Sequence, residues 1–271
     1  IYSNIYVPNL TNLKRAKKNI ENNNVIGIPT ETVYGLAGNA YSNKSVTKIF
    51  KLKKRPTFNP LIIHYKKLED IRNDVIYNGS LLKLYKAFCP GPITFVLKKN
   101  PKSRISKIAT AGKKTVAIRF PKHTIAQNVL KIANKPLAAP SANISTKLSP
   151  TCAKDVFDEF GKKIKFILDG GRSKIGVEST IVSLINKPKI LRLGGIERNK
   201  INKFLINKNK KKYKIKNIVV PGQGKIHYSP EIPIRLNIKN PKKYEAFMLI
   251  KKRKISKKNF YYLSKKKNLK E

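Results

Sequence analysis

Residues 27–64, GIPTETVYGLAGNAYSNKSVTKIFKLKKRPTFNPLIIH, carry the most demanding local chemistry in the chain and decide how the rest is read. Val25 to Ile28 is a short apolar run closed by Pro29, and a proline just past a buried run marks where strand pairing stops. The next three residues, Thr30, Glu31 and Thr32, bear only oxygen-containing side chains. Beyond Tyr34-Gly35-Leu36, Ser42 or Asn43 caps a predicted helix with Val46, Ile49 and Phe50 on one face. That helix delivers Lys53, Lys54 and Arg55 to its end. Pro56 stops it, because the residue before a proline is pushed out of the α region, so Arg55 leaves the helix. After the Asn59-Pro60 turn, Leu61 to Ile63 reads as a buried strand that stops at His64. The stretch is therefore strand, turn, helix, cationic loop, strand, and it holds cations and hydroxyls between rigid elements as a site for an anionic ligand requires. Lys54 taken alone reads as a solvated helix end, which the macrodipole favours, before it reads as a ligand.

Outward from this stretch, Leu13, Ala16 and Ile20 predict an opening helix over 12–21 with Thr11 as its cap. Leu81, Leu84, Tyr85 and Phe88 predict a second helix, stopped by Cys89-Pro90-Gly91-Pro92, and Ile93 to Leu97 a strand with Thr94 as its polar member. Residues 101–114 lack periodicity and read as a mobile surface loop. Thr115 to Arg119 is an apolar strand with an arginine at its exit; Ile125, Val129 and Ile132 mark a helix, and Leu137 to Ala139 a short strand opening into Pro140-Ser141-Ala142-Asn143. By itself, that serine and asparagine pair is an ordinary turn. Val156, Phe157 and Phe160 face inward on a helix over 152–160, and Phe166 to Leu168 is a strand. The glycine-rich segment from Asp169 to Thr180 precedes strands at Ile181 to Leu184 and Ile190 to Leu193. Residues 206–218, mostly lysine and asparagine, form a linker, and further strands are expected at Ala246 to Ile250 and Phe260 to Leu263.

Sixty basic residues against fourteen acidic ones give a formal charge of +46, a field that draws polyanions and weakens with salt. The abundance of lysine, asparagine and isoleucine and the absence of tryptophan also fit an A+T-rich coding bias. Only ten of the sixty are arginine, so Arg55, Arg119 and Arg192, each at the edge of an apolar run, carry more information than any lysine. Cys89 and Cys152 lie in neither a metal nor a redox spacing, which argues against structural zinc. No run reaches the roughly 18 apolar residues of a membrane span and no leader pattern opens the chain, so no membrane partner and a cytoplasmic location are expected.

Several motifs together resemble the threonylcarbamoyl-AMP synthases of the YrdC-like family. They are Pro29-Thr30-Glu31-Thr32-Val33-Tyr34-Gly35-Leu36, Lys53-x-Arg55-Pro56-x-x-Asn59-Pro60-Leu61, Pro90-Gly91-Pro92-x-Thr94, Val116-Ala117-Ile118-Arg119-x-Pro121, Pro140-Ser141-Ala142-Asn143 and Gly176-Val177-Glu178-Ser179-Thr180-Ile181-Val182. The resemblance covers residues 10–230 and implies an α/β (α+β) fold, a twisted mixed β-sheet flanked by helices. A YrdC-like catalytic domain over 1–205 would precede a linker over 206–230 and a partial second α/β domain over 231–271.

The implied reaction joins L-threonine, bicarbonate and ATP into threonylcarbamoyl-adenylate with release of pyrophosphate. A partner enzyme would pass the group to the tRNA adenosine beside the anticodon. By the same resemblance Lys53, Arg55, Ser141 and Asn143 form the catalytic signature, and Lys53 and Arg55 would neutralise phosphate charge. Thr32, His64, Arg119, Ala139 and Ser179 would hold threonine. Arg55, Asn59, Thr115, Ser141, Ser149, Arg192 and Tyr228 would hold ATP with Mg2+, whose protein ligands stay unassigned. Lys54 stands where the family commonly has glycine, Cys89 where it has an aromatic residue, and the second domain is shorter than the long form's. The charge leaves open a second reading, a non-catalytic RNA-binding module of the same fold with direct RNA contact.

Overall fold

A computed structural model describes residues 2–205, 232–250 and 258–263, in two compact units, Ile1–Pro230 and Glu231–Glu271. The 206–230 segment, including Tyr228, lies outside the described residues. In the first unit the chain runs β1 (Ile5–Tyr6), α1 (Leu10–Glu21), β2 (Ile26–Ile28), β3 (Gly35–Asn39), α2 (Asn43–Leu52), β4 (Ile62–His64), β5 (Val75–Ile76), α3 (Gly79–Phe88) and β6 (Ile93–Lys99). It continues as β7 (Thr115–Arg119), α4 (Thr124–Ala133), β8 (Leu137–Ala138), α5 (Ala153–Phe160), β9 (Ile167–Leu168), β10 (Thr180–Ser183), β11 (Lys189–Arg192) and α6 (Arg198–Asn202). In the second unit β12 (Phe247–Leu249) pairs in parallel with β13 (Phe260–Tyr262).

The first unit is an α/β fold on one mixed sheet, in the order β1-β9-β2-β3-β8-β4-β7-β6-β10-β11, with β5 against β6. Side-chain alternation sorts the core into layers. Ile26, Ile28 and Ala37 pack under α1 and α4, whereas Leu36, Ile63, Phe95 and Ile118 pack under α2, α3 and α5. The helices start where side chains accept orphan amides. Ser42 accepts from the Ser45 amide at the head of α2, as expected, while α1 is capped by Asn9 and not Thr11, so it begins two residues earlier.

Two expectations are corrected. Gly35–Asn39 is a strand, paired with β2 and β8. Two of its five residues are glycine and both faces are covered, so neither β propensity nor alternation marks it. Residues 101–114 form no regular element, yet they are anchored and not a loose surface loop. Ile105 and Ala109 are in the core, Ser106 N–H donates to Ala40 O at 3.0 Å, and Ser103 Oγ donates to Asp74 Oδ1 at 2.6 Å. Cys89 and Cys152 are free thiols, and burial pushes Cys89 up to about 12.

At the end of α2, Lys54 takes a left-handed φ of 47°. This is the conformation a glycine would adopt freely, so the turn keeps its shape with lysine in place. Lys54 is exposed, and relief of the strain should make Lys54→Gly about 1 kcal/mol more stable by denaturant unfolding. A loss of stability would contradict this account of the turn.

Candidate active site

Strand register brings the polar groups to one edge of the sheet. In parallel pairing His64 on β4 stands beside Arg119 on β7, and in antiparallel pairing Thr94 on β6 stands on the other side of Arg119. Thr94 also pairs with Ile181, two residues on from Ser179, and the Thr94 and Ser179 hydroxyls lie 2.7 Å apart. Gly35 bridges Ser141, and β8 ends beneath the same edge. A cavity opens there, with an enclosed core of ≈ 40 Å³ and ≈ 490 Å³ when its open mouth is included. Its floor holds His64, Arg119 and Ala139, and its walls hold Arg55, Ser141, Thr30, Glu178, Ser179 and Arg192.

The floor is preorganised for an anion. Arg119 Nη2 donates to Glu31 Oε1 at 2.7 Å, and Glu31 Oε2 accepts the Lys122 amide at 3.0 Å. Both side chains are buried, and among the described residues the Arg119 Nε–H has no partner. Burial alone would raise the Glu31 pKa, but the charge and hydrogen bond of Arg119 and backbone amides outweigh it and hold the carboxylate ionised below its usual range. His64 is driven down to about 3, first by burial and then by Arg119, so it is a neutral imidazole, and its Nδ1 has no partner among the described residues. Two buried orphans side by side, a guanidinium donor and an imidazole nitrogen, suit an amino-acid carboxylate with a neighbouring donor.

The walls are arginine. Arg55 donates to Asn59 O, Asn59 Oδ1 and Pro60 O at 2.6 to 2.9 Å, and burial followed by Arg192 lowers it to about 9, still charged at neutral pH. Arg192 Nη2 donates to Ser179 O at 2.9 Å and so fixes the residue that faces Thr94. Gly194 is required beside it, because a Cβ there would meet Glu178 O at 2.1 Å.

Of the residues expected at the site, Arg55, His64, Arg119, Ala139, Ser141, Ser179 and Arg192 line the one cavity. Thr32 is fully buried behind it, its hydroxyl 2.9 Å from that of Thr30, which lines the wall. Asn59 lies behind Arg55, and Ser149 Oγ donates to Glu178 Oε1 at the wall. Thr115 pairs with Lys98, at the far end of β7 from Arg119, and does not reach the cavity. Lys53 and Asn143 also stand off the wall. Sequence reading passed over Glu31 and Glu178 as site residues. Their signal was rarity: with fourteen acids against sixty bases, a carboxylate inside each of two motifs carries as much information as an arginine.

Residues 18–194 match the Sua5, YciO and YrdC family model, which bears the description telomere recombination. The chain belongs to this family. It is 40% identical to a threonylcarbamoyl-AMP synthase of Pyrococcus abyssi over 79% of this chain and 64% of that protein. It is 42% identical to one of Schizosaccharomyces pombe over 65% of this chain and 49% of that protein. The solved Sua5 of Pyrococcus abyssi complexed with L-threonine superposes with a TM-score of 0.75 at 38% identity, covering 80% of this chain and 65% of that one. The chain thus spans about half to two thirds of the length of these family members.

A carboxylate whose folded pKa is depressed contributes stability that is present above its ordinary value and lost as pH falls through the folded one. Glu31→Gln leaves Arg119 buried without its counter-charge, a loss of about 3 kcal/mol. Thermal melts should show the variant well below wild type at pH 7, with the gap narrowing below about pH 4. A gap independent of pH would remove the ion pair from the account.

Proposed function

We propose that the chain makes threonylcarbamoyl-adenylate from L-threonine, bicarbonate and ATP with release of pyrophosphate. The observation that carries this reading is the single cavity with two anion-recognising regions, Arg119 and His64 on its floor and Arg55, Arg192 and Ser141 on its walls. The family relatives of the same activity and the threonine-bound neighbour support it.

Chemically, the neutral amine of threonine attacks bicarbonate, forming the N–C bond with loss of water. A carbamate oxygen then attacks the α-phosphorus, and the bond to the β-phosphate oxygen breaks as pyrophosphate leaves. The work is positioning and charge neutralisation, for which no covalent nucleophile is needed. Arg119, braced by Glu31, takes the threonine carboxylate. Neutral His64 accepts a hydrogen bond from the amine or hydroxyl, and with Ala139 and Ser179 it fixes which face of threonine meets the nucleotide. Arg55 and Arg192 hold phosphates opposite Ser141. Magnesium would enter with ATP; Glu178 is the one carboxylate on the described cavity wall, so phosphate oxygens and water would supply the rest of its shell. A partner enzyme would then consume the adenylate on tRNA. Among the described residues no helix is long and apolar enough to cross a membrane, and a cytoplasmic site of action is part of the same proposal.

The second reading, RNA binding without catalysis, has its own observation. A groove of ≈ 550 Å³ is lined by Lys48, Lys51, Lys54, Lys163 and Lys165 over Leu52 and Ile144, with Glu159 as its one carboxylate. Yet its cations are all lysine, as the composition alone would supply, whereas the cavity's are all arginine.

ATP should release pyrophosphate in a threonine- and bicarbonate-dependent way, and Arg119→Lys should raise the KM for threonine about tenfold with that for ATP little changed. A folded wild type with no such dependence would sink the proposal. Under the RNA reading, salt-sensitive binding to structured RNA survives Arg55→Ala and is lost in Lys51→Glu/Lys163→Glu; RNA binding abolished by Arg55→Ala would count against it.

A further inference from the structure

The Lys-x-Arg and Ser-x-Asn signature is a pair of dipeptide spacings, and the structure divides each of them. Arg55 and Ser141 line the cavity. Lys53 does not: it is 1% exposed, wedged between the end of α2 and the loop that follows β8. Its Nζ donates to Ser141 O at 2.6 Å and to Asn143 O, and its own carbonyl accepts the Ser145 amide at 2.8 Å. Asn143 is 4% exposed and turned to the same task, its Nδ2 donating to Ile144 O at 2.8 Å and to Lys147 O at 2.9 Å.

Resting on the synthase reading, we propose that the signature is two devices and not one. Arg55 and Ser141 are the nucleotide-facing pair, and Lys53 and Asn143 are positioning residues that hold the loop from Ser141 to Ser145 and touch no substrate.

The physical case has three parts. First, a group that neutralises phosphate must reach it, and an ammonium enclosed by protein with two carbonyls as partners cannot do so without breaking the wall. Second, the carbonyls of Ser141 and Asn143 need a donor. Left unpaired, they would be buried acceptors beside a site for a polyanion, unfavourable both to fold and to charge. One ammonium serves both, at the C-terminal end of α2 where the helix dipole favours a cation. Burial, and then the charge of Arg55, pushes the Lys53 pKa well below its usual range, against a smaller upward pull from Glu178 and Glu159. Third, the left-handed residue Lys54 parts the two neighbours. The Lys54 amide bonds Lys51 O and the Arg55 amide returns to Phe50 O, so the chain doubles back between Lys53 and Arg55. One stays behind the wall and the other enters the cavity.

Direct phosphate contact and loop positioning differ in how mutations combine. The test is a double-mutant cycle of Lys53→Met with Ser141→Ala, read as ATP affinity by calorimetry and as kcat/KM for ATP in pyrophosphate release. Lys53→Met alone should weaken both about 100-fold, the scale of a misplacement near 1 Å. In the Ser141→Ala background it should cost less than about fivefold, because the loop has lost the group it was holding in place. Multiplying effects would mean that Lys53 meets the nucleotide itself, and would overturn the division. Should Lys53→Met not fold, Asn143→Ala replaces it in the cycle with the same expectation, and multiplying effects there overturn the division as well. A wild type that binds ATP but lacks threonine-dependent release overturns the proposed reaction and leaves the division standing on affinity alone.

Discussion

The loop from Pro140 to Ser145 is the constraint on which the site depends. On one side it is stitched to β3 and the residue before it, with Leu36 N–H donating to Pro140 O and Ala142 N–H to Tyr34 O, both at 2.8 Å. On the other it is clamped by Lys53. Between these supports the segment carries Ser141 into the cavity although it forms no helix or strand of its own. A loop held on two sides keeps a side chain nearly as well as a strand does, provided its backbone acceptors are satisfied. β3 therefore matters more than its unremarkable sequence suggests: it is the inner rail for this loop and the outer partner of β2.

Composition and function pull in different directions here, and the site shows where each prevails. Lysine supplies fifty of the sixty basic residues, yet the three cations that line the cavity, Arg55, Arg119 and Arg192, are arginine. A planar fork can hold a carboxylate or phosphate while its other donors fix its own position, as Arg55 does through Asn59 and Pro60 and Arg192 through Ser179. Lysine has one donor centre and no plane. It suffices where two carbonyls converge on a point, which is the task Lys53 performs.

Much of this was legible in advance. The helix after Ser42 and its stop before Arg55, the strand over Thr115–Arg119 and the turn after β8 all follow from periodicity, caps and prolines. β3 was hidden because glycine and alanine buried on both faces leave no alternating pattern. The anchoring of residues 101–114 was hidden because Asp74, Tyr41, Tyr65 and Ser103 meet through space and not along the chain. At the site, residue types pointed to the chemistry, but spacing could not tell a side chain that enters the cavity from one that braces it. Glu31 and Lys53 are both charged motif residues, and both turn out to bond other protein groups.

The two ends of the cavity are built differently, and the proposed chemistry gives a reason. His64, Arg119 and Thr94 sit on adjacent strands whose register fixes their spacing, so the end assigned to threonine has little freedom. On the nucleotide side Arg55 and Ser141 sit just outside regular elements, held by hydrogen bonds that could rearrange without unpairing the sheet, and Arg192 is the last residue of β11, at the sheet's edge. An amino acid must be told from its near relatives by a few atoms, which demands fixed walls. A triphosphate that loses two of its phosphates during the reaction changes shape and charge, and groups on braced loops can follow it. Setting the threonine contacts His64 and Arg119 on strands, and the nucleotide contacts Arg55 and Ser141 on braced loops, lets one edge of one sheet meet both requirements.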